Sequence, residues 1–232
     1  LRVSCNIGAM HAGLALGNKR LLNYLRAFRF LSTSGAEFEE ATGSIPPDNV
    51  RSADWSGTCA FGQGIAVTPI QLAMAYACLA NHGRLMQPYV IARRVPRDGG
   101  RPRVTKPTEI GQVVRPEIAD SIVQILTSVV HDPGGTGHAA RLASYRVAGK
   151  TGTAQKFVNG RYARDRFVVS FVGMIPAEAP KYVILVVIDE PIPSAAYGGM
   201  VAAPAFRDIA ESIAAAEGLA PGSNVATEVT AG

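Results

Sequence analysis

Cysteine and histidine are too few and too scattered in this sequence to form a metal site. The only cysteines are Cys5, Cys59 and Cys78, and they form no Cys-x-x-Cys pair. The four histidines lie far apart in the sequence and form no ligand pattern. We therefore predict no metal centre. So low a cysteine content fits the cytoplasm, or a periplasm-facing domain that needs no disulfides.

The sequence also lacks long apolar runs, a starting methionine and a signal peptide. No apolar segment reaches the roughly 18 residues that are needed to span a bilayer. The sequence has no starting Met and no signal peptide, and the candidate motif Ser4-Cys5-Asn6 lies at its very edge. We therefore expect a C-terminal fragment of a longer protein, with any membrane anchor in the missing part.

The composition is that of a globular protein with a basic surface. Hydrophobic residues make up 47% of the chain, the net charge is +5 and the pI is about 9.3. Arginines recur in residues 93–103 and 161–166, with few aromatic residues between them. The simplest interpretation is a solvated basic surface, and the alternatives are binding of an anionic polymer or of nucleic acid. No nucleic-acid motif is present, so we predict no nucleic-acid partner.

Cap residues and hydrophobic periodicity predict five helices. They begin at Asn6, Asn18, Thr68-Pro69-Ile70-Gln71 (a capping box), Pro116 and Pro204. The first helix is expected to face inward with Ile7, Met10 and Leu14. The fourth is expected to do so with Ile118, Ile122, Ile125, Leu126 and Val129. The fifth is expected to do so with Phe206, Ile209 and Ile213. Residues 31–57 are interpreted as a long surface excursion.

Strand patterns are concentrated in the C-terminal half. Residues 87–95 are predicted to form one strand, and residues 146–156, 166–174 and 181–189 are predicted to form three more. Short links, one of them across Asn159-Gly160, require antiparallel pairing of the last three. The predicted fold class is α+β, with an antiparallel sheet flanked by helices. We expect one domain over residues 1–217 and a disordered tail over residues 218–232.

The tripeptide Lys150-Thr151-Gly152 is the most informative motif. It places a cation, a hydroxyl and a backbone unit without a side chain in a row on a predicted edge strand. Gly152 would let an extended substrate approach closely. Lys150 would bind a carboxylate, and the hydroxyls of Thr151 and Thr153 could donate to the same group. The backbone N–H of Thr153 could stabilise a developing oxyanion.

A second motif, Ser4-Cys5-Asn6, is weaker alone, because Ser-x-Asn is also an ordinary helix cap. As part of a site, Ser4 would relay a proton and Asn6 would hold a substrate amide or a general-base lysine. Cys5 would point away as a buried thiol. The turn Phe61-Gly62-Gln63-Gly64 is either plain loop geometry or a wall of the cleft. Asp189-Glu190 is interpreted as the polar end of a strand rather than an acid/base pair.

Together these stretches closely resemble the transpeptidase domain of class B penicillin-binding proteins, the peptidoglycan D,D-transpeptidases, from Val3 to about Glu217. The motif K-T-G is one of that group's marks, but Ser-x-x-Lys, which carries its nucleophile, is absent from all 232 residues. The stretches that carry the resemblance are Val3–Asn6, Phe61–Leu72, Gly134–Gly137, Tyr145–Gln155, Ser170–Gly173 and Tyr197–Gly199. One departure is Phe28-Arg29-Phe30-Leu31, where the family often has Phe-Gly-Phe-Gly, which puts the turn after the second helix in doubt.

The resemblance implies a penicillin-binding transpeptidase or serine β-lactamase-like fold that is incomplete at its N-terminus. It implies a serine acyl-enzyme on the penultimate D-alanine of a stem peptide, which the amine of a neighbouring strand then attacks. β-Lactams would trap the acyl-enzyme, Lys150 and its threonine neighbours would hold the ligand carboxylate, and no cofactor is implied. The fragment alone would lack catalysis and expose apolar surface.

The resemblance also implies partners and a location. A membrane glycosyltransferase and other cell-wall or divisome proteins are the expected partners, at the bacterial membrane, with this domain on the extracytoplasmic side. Thr151, the strand Phe171-Val172-Gly173 and the segment Asp189-Glu190-Pro191 resemble the division-specific branch more than the elongation branch. Two alternatives are a serine β-lactamase or D,D-carboxypeptidase on the same fold, and a non-catalytic β-lactam sensor; the upstream Ser-x-x-Lys would separate an enzyme from a sensor.

Overall fold

Three long strands in the C-terminal half form the sheet that carries the candidate site. A computed structural model describes residues 1–158, 160–192 and 197–219, so Asn159 and most of the predicted tail lie outside the described residues. The three strands are β5 (Ala148–Val158), β6 (Arg161–Ile175) and β7 (Tyr182–Asp189). They pair antiparallel in that order, and β5 is an edge strand of this sheet. The predicted antiparallel sheet and α+β class are confirmed.

Six helices and two small ribbons surround this sheet within the described residues. The helices α1 to α6 span Asn6–Leu16, Asn18–Ala27, Trp55–Cys59, Pro69–Ala80, Pro116–His131 and Gly198–Ala216. The first ribbon pairs β1 (Arg84–Gln87) with β4 (Thr108–Gln112), and the second pairs β2 (Arg93–Arg94) with β3 (Arg103–Val104). In the part of the chain that the structure describes, no helix is both long enough and apolar enough to cross a membrane.

The two faces of β6 pack against different helices. Phe171 and Ile175 belong to a core that includes Phe206 of α6, and the two phenylalanine rings lie 4.8 Å apart. Met174 lies in a second core with Leu126 of α5. Because side chains alternate across a strand, this period of two places α5 and α6 on opposite faces of the sheet. The sheet is therefore held in place from both sides.

The predicted inward face of α5 is partly wrong. Leu126 and Val129 are buried, but Ile118 and Ile125 are 42% and 47% exposed. The buried stripe instead includes Ala119 and Val123. Apolar residues occupy two adjacent stripes of this helix, each with helical spacing, so periodicity alone does not choose between them.

The predicted start of the last helix and one predicted strand are also wrong. Helix α6 begins at Gly198 and contains Pro204 in its interior, although proline is typical of a first turn. Its residue Ile209, predicted to face inward, is 43% exposed. The strand predicted over residues 87–95 is replaced by β1 and the two-residue β2. The partner strand β4 was missed because its sequence, which contains Gly111, has a weak strand signal.

Helix α1 differs from its prediction in its cap and its face. Cys5, not Asn6, is the N-cap residue, and its Sγ accepts a hydrogen bond from the N–H of Gly8 at 3.5 Å. Cys5 is therefore exposed rather than buried. Ile7 and Leu14 are 65% and 43% exposed, so the predicted inward face is largely open among the described residues.

Helix α2 also begins differently from the prediction. Its N-cap residue is Gly17, and Asn18 is its first helical residue. The Asn18 side chain instead accepts from the N–H of Ser56 and donates to the carbonyl of Ser52. Asn18 therefore ties α2 to the segment around α3.

The segment over residues 31–57 is not only a surface excursion. Trp55 is 3% exposed and packs in a core with Leu25. The turn that the Phe28–Leu31 departure put in doubt forms nonetheless, with Arg29 in the left-handed region at φ 61°. The buried Gln71 side chain fixes this turn, because its Nε2 donates to the carbonyls of Arg29, Phe30 and Ser32.

Candidate active site

The ammonium group of Lys150 joins the two predicted motifs. Its Nζ donates to Ser4 Oγ at 2.8 Å, although 146 positions separate these residues in the sequence. The same Nζ donates to the carbonyl of Thr151 at 3.0 Å and lies 3.4 Å from Thr151 Oγ1. Strand β5 presents the lysine at the sheet edge, and the start of α1 presents the serine. The fold therefore brings K-T-G and Ser-x-Asn into one site.

Lys150 has no acidic partner among the described residues. Its hydrogen-bond acceptors are two hydroxyls and a carbonyl, all of them neutral. Burial lowers the pKa of Lys150, because desolvation disfavours the charged form. A half-buried cation with neutral partners favours the binding of an anion, which would supply the missing charge.

Ser4 is held in an uncommon backbone conformation at the entrance to α1. Its φ is 52°, in the left-handed region that few residues other than glycine adopt. The N–H of Ser4 donates to the carbonyl of Leu1, which closes a turn just before the helix. Because Lys150 donates to its oxygen, the hydroxyl proton of Ser4 is left to be donated elsewhere. Strain of this kind is common at functional positions.

Thr136 belongs to the site and was not predicted as a site residue. Its Oγ1 lies 2.9 Å from Thr151 Oγ1, a hydrogen-bond distance. Its backbone N–H donates to the carbonyl of Arg2 at 3.3 Å, which ties the loop to the segment before Ser4. In the sequence, Thr136 is only a threonine between glycines, in one of the stretches that resemble the family. Its contact with Thr151 is visible only in the folded structure.

The start of α6 packs directly on the K-T-G strand. The N–H of Gly198 donates to Thr153 Oγ1 at 3.4 Å. A Cβ on Gly198 would lie 2.3 Å from the carbonyl oxygen of Ser170 and 2.7 Å from that of Gly152. A Cβ on Gly152 would lie 2.4 Å from Ser170 Oγ. A side chain at position 152 would therefore require the Ser170 hydroxyl to move.

Asn6 is the predicted site residue that the structure connects least. It is the first residue of α1, two positions after Ser4, and its side chain is exposed. Within the described residues it makes no side-chain hydrogen bond, whereas Ser4 contacts Lys150 directly. Its position beside the cluster leaves its carboxamide open to solvent and to a ligand.

The Phe61–Gly64 turn is anchored on both sides. The indole N–H of Trp55 donates to the carbonyl of Gly64 at 3.0 Å. The N–H of Gly64 donates to Tyr162 Oη at 3.2 Å, and Tyr162 lies near the tip of the β5–β6 hairpin. The turn thus links the helical part of the chain to the hairpin that carries Lys150.

Comparison of this chain with known protein families, proteins and structures agrees with this geometry. Residues 1–211 match the family described as the penicillin-binding protein transpeptidase domain. Stage V sporulation protein D of Bacillus subtilis is 36% identical over 223 residues, which cover 95% of this chain and 34% of that protein. Penicillin-binding protein PbpB of Mycobacterium tuberculosis is 34% identical over 217 residues, 89% of this chain and 32% of that protein. The chain thus spans about a third of the length of these curated relatives.

Solved structures share the fold over nearly the whole chain. Penicillin-binding protein 3 of Mycobacterium tuberculosis, complexed with aztreonam, aligns with a TM-score of 0.85 at 31% identity, covering 97% of this chain and 52% of that one. The apo transpeptidase domain of Burkholderia pseudomallei penicillin-binding protein 3 aligns with a TM-score of 0.80 at 30% identity, covering 93% and 62%. The chain therefore belongs to the transpeptidase family of penicillin-binding proteins, in its class B branch.

Proposed function

We propose that the full-length protein is a serine-type peptidoglycan D,D-transpeptidase, and that these residues form most of its substrate-binding site. The observation that carries the proposal is the 2.8 Å contact between Lys150 Nζ and Ser4 Oγ on the open edge of the sheet. Relatives in Pseudomonas aeruginosa and Neisseria gonorrhoeae are named probable peptidoglycan D,D-transpeptidases. Those proteins are 36% and 38% identical to this chain over the aligned residues.

In this proposal the anionic end of the substrate binds along β5. The Lys150 ammonium would pair with the terminal carboxylate of the stem peptide, since its present partners are all neutral. The hydroxyls of Thr151 and Thr153 would donate to the same carboxylate, and the backbone N–H of Thr153 to the oxyanion. Gly152 keeps this stretch of strand free of a side chain that would clash with Ser170.

The nucleophilic serine would come from outside these 232 residues, because they contain no Ser-x-x-Lys. Its oxygen attacks the carbonyl carbon of the penultimate D-alanine, its proton passes through the lysine of the same motif to Ser4, and the bond to the terminal D-alanine nitrogen breaks. Ser4, whose oxygen accepts from Lys150, would pass a proton to that leaving nitrogen. The amine of a neighbouring stem peptide then attacks the acyl-enzyme, loses its proton and restores the serine. The carboxamide of Asn6 would hold the substrate amide or the general-base lysine.

The same site would accept β-lactams, whose carboxylate and strained amide resemble the acyl-D-alanyl-D-alanine end. The related Mycobacterium tuberculosis protein has been solved as complexes with aztreonam and with ampicillin. In this chain, Lys150 and Thr151 would bind the carboxylate of such a drug. The acyl-enzyme would then form on the same upstream serine.

Class B relatives act in cell-wall synthesis, and we propose an extracytoplasmic, membrane-anchored role in division for this protein. A membrane glycosyltransferase and divisome proteins would be its partners. Residues 1–217 would form the C-terminal part of the transpeptidase domain, since α6 ends at Ala216 and Glu217 is its C-cap. Residues 218–232 would be a tail outside this domain.

The test uses the full-length protein incubated with penicillin, with the adduct followed by intact mass. A stable adduct on a serine of a Ser-x-x-Lys motif is the expected result. A transient adduct with penicillin consumed would replace the proposal with a β-lactamase. A folded protein that forms no adduct would reject an active transpeptidase.

A further inference from the structure

The net charge of the chain is concentrated in one ribbon, residues 88–107, which we call the basic arm. The arm contains five arginines and one lysine against a single acid, Asp98. It therefore accounts for the whole net charge of +5, and the rest of the chain is neutral, with equal numbers of basic and acidic residues. No residue of the arm is buried. Such a concentration of one sign is an electrostatic footprint for an anionic partner.

The charges of the arm sit on a defined backbone. Strands β2 and β3 pair within it, and the N–H of Thr105 donates to the carbonyl of Ala92 at 2.9 Å. At its base, the N–H of Val90 donates to Glu37 Oε2 at 2.9 Å. The arm is thus a paired ribbon anchored at its base, and the pairing sets which strand positions its arginines occupy.

Two of these arginines repel one another. Arg94 and Arg103 lie directly opposite on the paired strands, an arrangement that destabilises a ribbon when the charges are alike. None of the arm's basic residues forms an ion pair within the described residues. The carboxylate of Asp98 accepts instead from the N–H of Gly100. An anion bound between the two arginines would remove this repulsion.

The arm also exposes apolar side chains beside its charges. Val90, Val95 and Val104 are 69%, 61% and 66% exposed, and Val104 pairs with Arg93. A partner that covered these valines would also exclude water from the adjacent guanidinium groups, which would strengthen their hydrogen bonds to an anion.

We propose that the basic arm binds uncross-linked peptidoglycan strands through the carboxylates of their stem peptides. The proposal rests on the proposed function, which makes that polymer the substrate. The planar guanidinium groups of the five arginines can bind carboxylates in a bidentate manner, and the single lysine adds a point charge. A strand held at the arm would stay with the enzyme, which raises the local concentration of its other stem peptides.

The placement of the charges favours a linear polymer over other anions. Successive residues of a strand face opposite sides, so Arg93 lies on one face of the ribbon and Arg94 with Arg103 on the other. A flat membrane can contact only one face, whereas a flexible chain can contact both. The arm has a single aromatic residue, Tyr89, which is too few for the stacking that single-stranded nucleic acids require.

The experiment compares two triple variants of the full-length protein, each acylated with penicillin beforehand so that the cleft is blocked. The arm variant is Arg93→Gln/Arg94→Gln/Arg103→Gln. The control, Lys19→Gln/Arg20→Gln/Arg26→Gln, removes the same charge from exposed positions of α2. Binding is measured by co-sedimentation with purified sacculi at low and high salt, with carboxyl-amidated sacculi and with anionic phospholipid vesicles.

The arm variant should bind sacculi roughly tenfold more weakly, the combined effect of three exposed charge contacts. The control should differ by less than about twofold, and amidated sacculi should abolish the difference between the variants. Unchanged binding by the arm variant, equal loss in the control, or tighter binding of the wild-type protein to vesicles than to sacculi would each overturn the proposal. The rate of acylation is measured separately. The binding assay is also run without penicillin. A protein that fails to acylate, and whose binding to sacculi is nonetheless weakened in the arm variant but not in the control, would refute the transpeptidase and support the arm.

Discussion

Lys150 is a half-buried cation whose hydrogen-bond partners are all neutral, so its charge is available to a ligand. We predict that Lys150→Ala in the full-length protein slows penicillin acylation by roughly 10- to 150-fold, the range expected for loss of a charged hydrogen bond of about 1.5–3 kcal/mol. Thermal unfolding should stay close to wild type. The exposed residue Lys181 offers a matched control, since Lys181→Ala should leave acylation unchanged. Equal acylation rates in the two variants would refute the role of Lys150.

The lowered pKa of Lys150 has a direct consequence for pH dependence. As pH rises, this lysine loses its proton at a lower pH than a lysine in water, because burial disfavours the charged form. Carboxylate binding should therefore weaken on the alkaline side, below the usual pKa of lysine. A pH profile of the acylation rate measures this alkaline decrease. If the decrease is absent in Lys150→Ala, it is assigned to the Lys150 ammonium.

Thr136 acts on the ligand through Thr151, so its removal should have a smaller effect than that of Lys150. We predict that Thr136→Val slows acylation by about 2- to 10-fold, the loss of one neutral hydrogen bond of about 0.5–1.5 kcal/mol. Thr136→Ser keeps the hydroxyl and should restore most of the rate. If the effects of Thr136→Val and Thr151→Val are additive in the double variant, the two hydroxyls do not act together.

Residues within one short motif were predictable, and contacts between motifs were not. Lys150, Thr151 and Gly152 are consecutive, and their chemistry could be stated from the sequence alone. The 2.9 Å contact between Thr136 and Thr151 depends on how the loop after α5 returns to the sheet. No local pattern encodes that return, so Thr136 was found only in the structure.

At the scale of elements, the contact between α6 and β5 depends on a glycine. We predict that Gly198→Ala lowers the free energy of unfolding by about 1–3 kcal/mol, because its Cβ would overlap two backbone oxygens that cannot rotate away. Gly8→Ala is the matched control, since a Cβ there would meet Cys5 Sγ at an ordinary 3.8 Å inside a helix. Denaturant unfolding should show a loss for the first variant and little change or a small gain for the second.

A cluster of charges ties the far end of β5 to the end of β7. Lys156 Nζ contacts Asp189 at 3.0 Å and Glu190 at 2.7 Å, and Arg166 contacts Glu190 at 3.2 Å. The hydrogen bond from Lys156 is the main cause that holds the pKa of Glu190 below its usual value. The ion pairs that Glu190 forms with Lys156 and Arg166 therefore persist only while Glu190 is ionised, whereas the Lys156–Asp189 pair does not depend on it.

The sign of this shift predicts how stability changes with pH. A carboxyl whose folded pKa is depressed stabilises the protein above its unfolded pKa and loses that contribution as pH falls through the folded value. Wild type should therefore melt higher than Glu190→Gln at neutral pH, and the difference should disappear in acid below the normal range of glutamate. Glu211→Gln, on the exposed face of α6, should show no such pH-dependent difference. A difference in melting temperature between wild type and Glu190→Gln that persists in acid would refute an ionic origin of this stabilisation.

The sequence predicted the existence of elements better than their faces and ends. The three long strands have strong patterns and short links, and they form as predicted. In α5 and α6, apolar residues such as Ile125 and Ile209 fall on faces that tertiary packing leaves exposed. Tertiary packing, not periodicity, decided which stripe was buried. The interior Pro204 shows that a helix-start signal can be overridden in the same way.

At the scale of the whole molecule, Tyr162 connects the β5–β6 hairpin to the Phe61–Gly64 turn. Its hydroxyl accepts from the N–H of Gly64 at 3.2 Å, across 98 positions of sequence. We predict that Tyr162→Phe speeds hydrogen exchange of the Gly62–Gly64 amides by about 2- to 10-fold, since one exposed hydrogen bond is lost. The melting temperature should scarcely change. Tyr24→Phe, at another exposed tyrosine, should leave these amides as they are, and equal exchange in both variants would refute the link.

Trp55 is the only tryptophan of the chain, it is 3% exposed, and its indole N–H donates to the carbonyl of Gly64. The guanidinium carbon of Arg51 lies 5.0 Å from the centre of its ring. Indole emission depends on hydrogen bonding and nearby charge, so the tryptophan fluorescence of these 232 residues reports on the Phe61–Gly64 turn. With any tryptophans elsewhere in the full-length protein replaced by phenylalanine, movement of this turn could be followed in real time without a label.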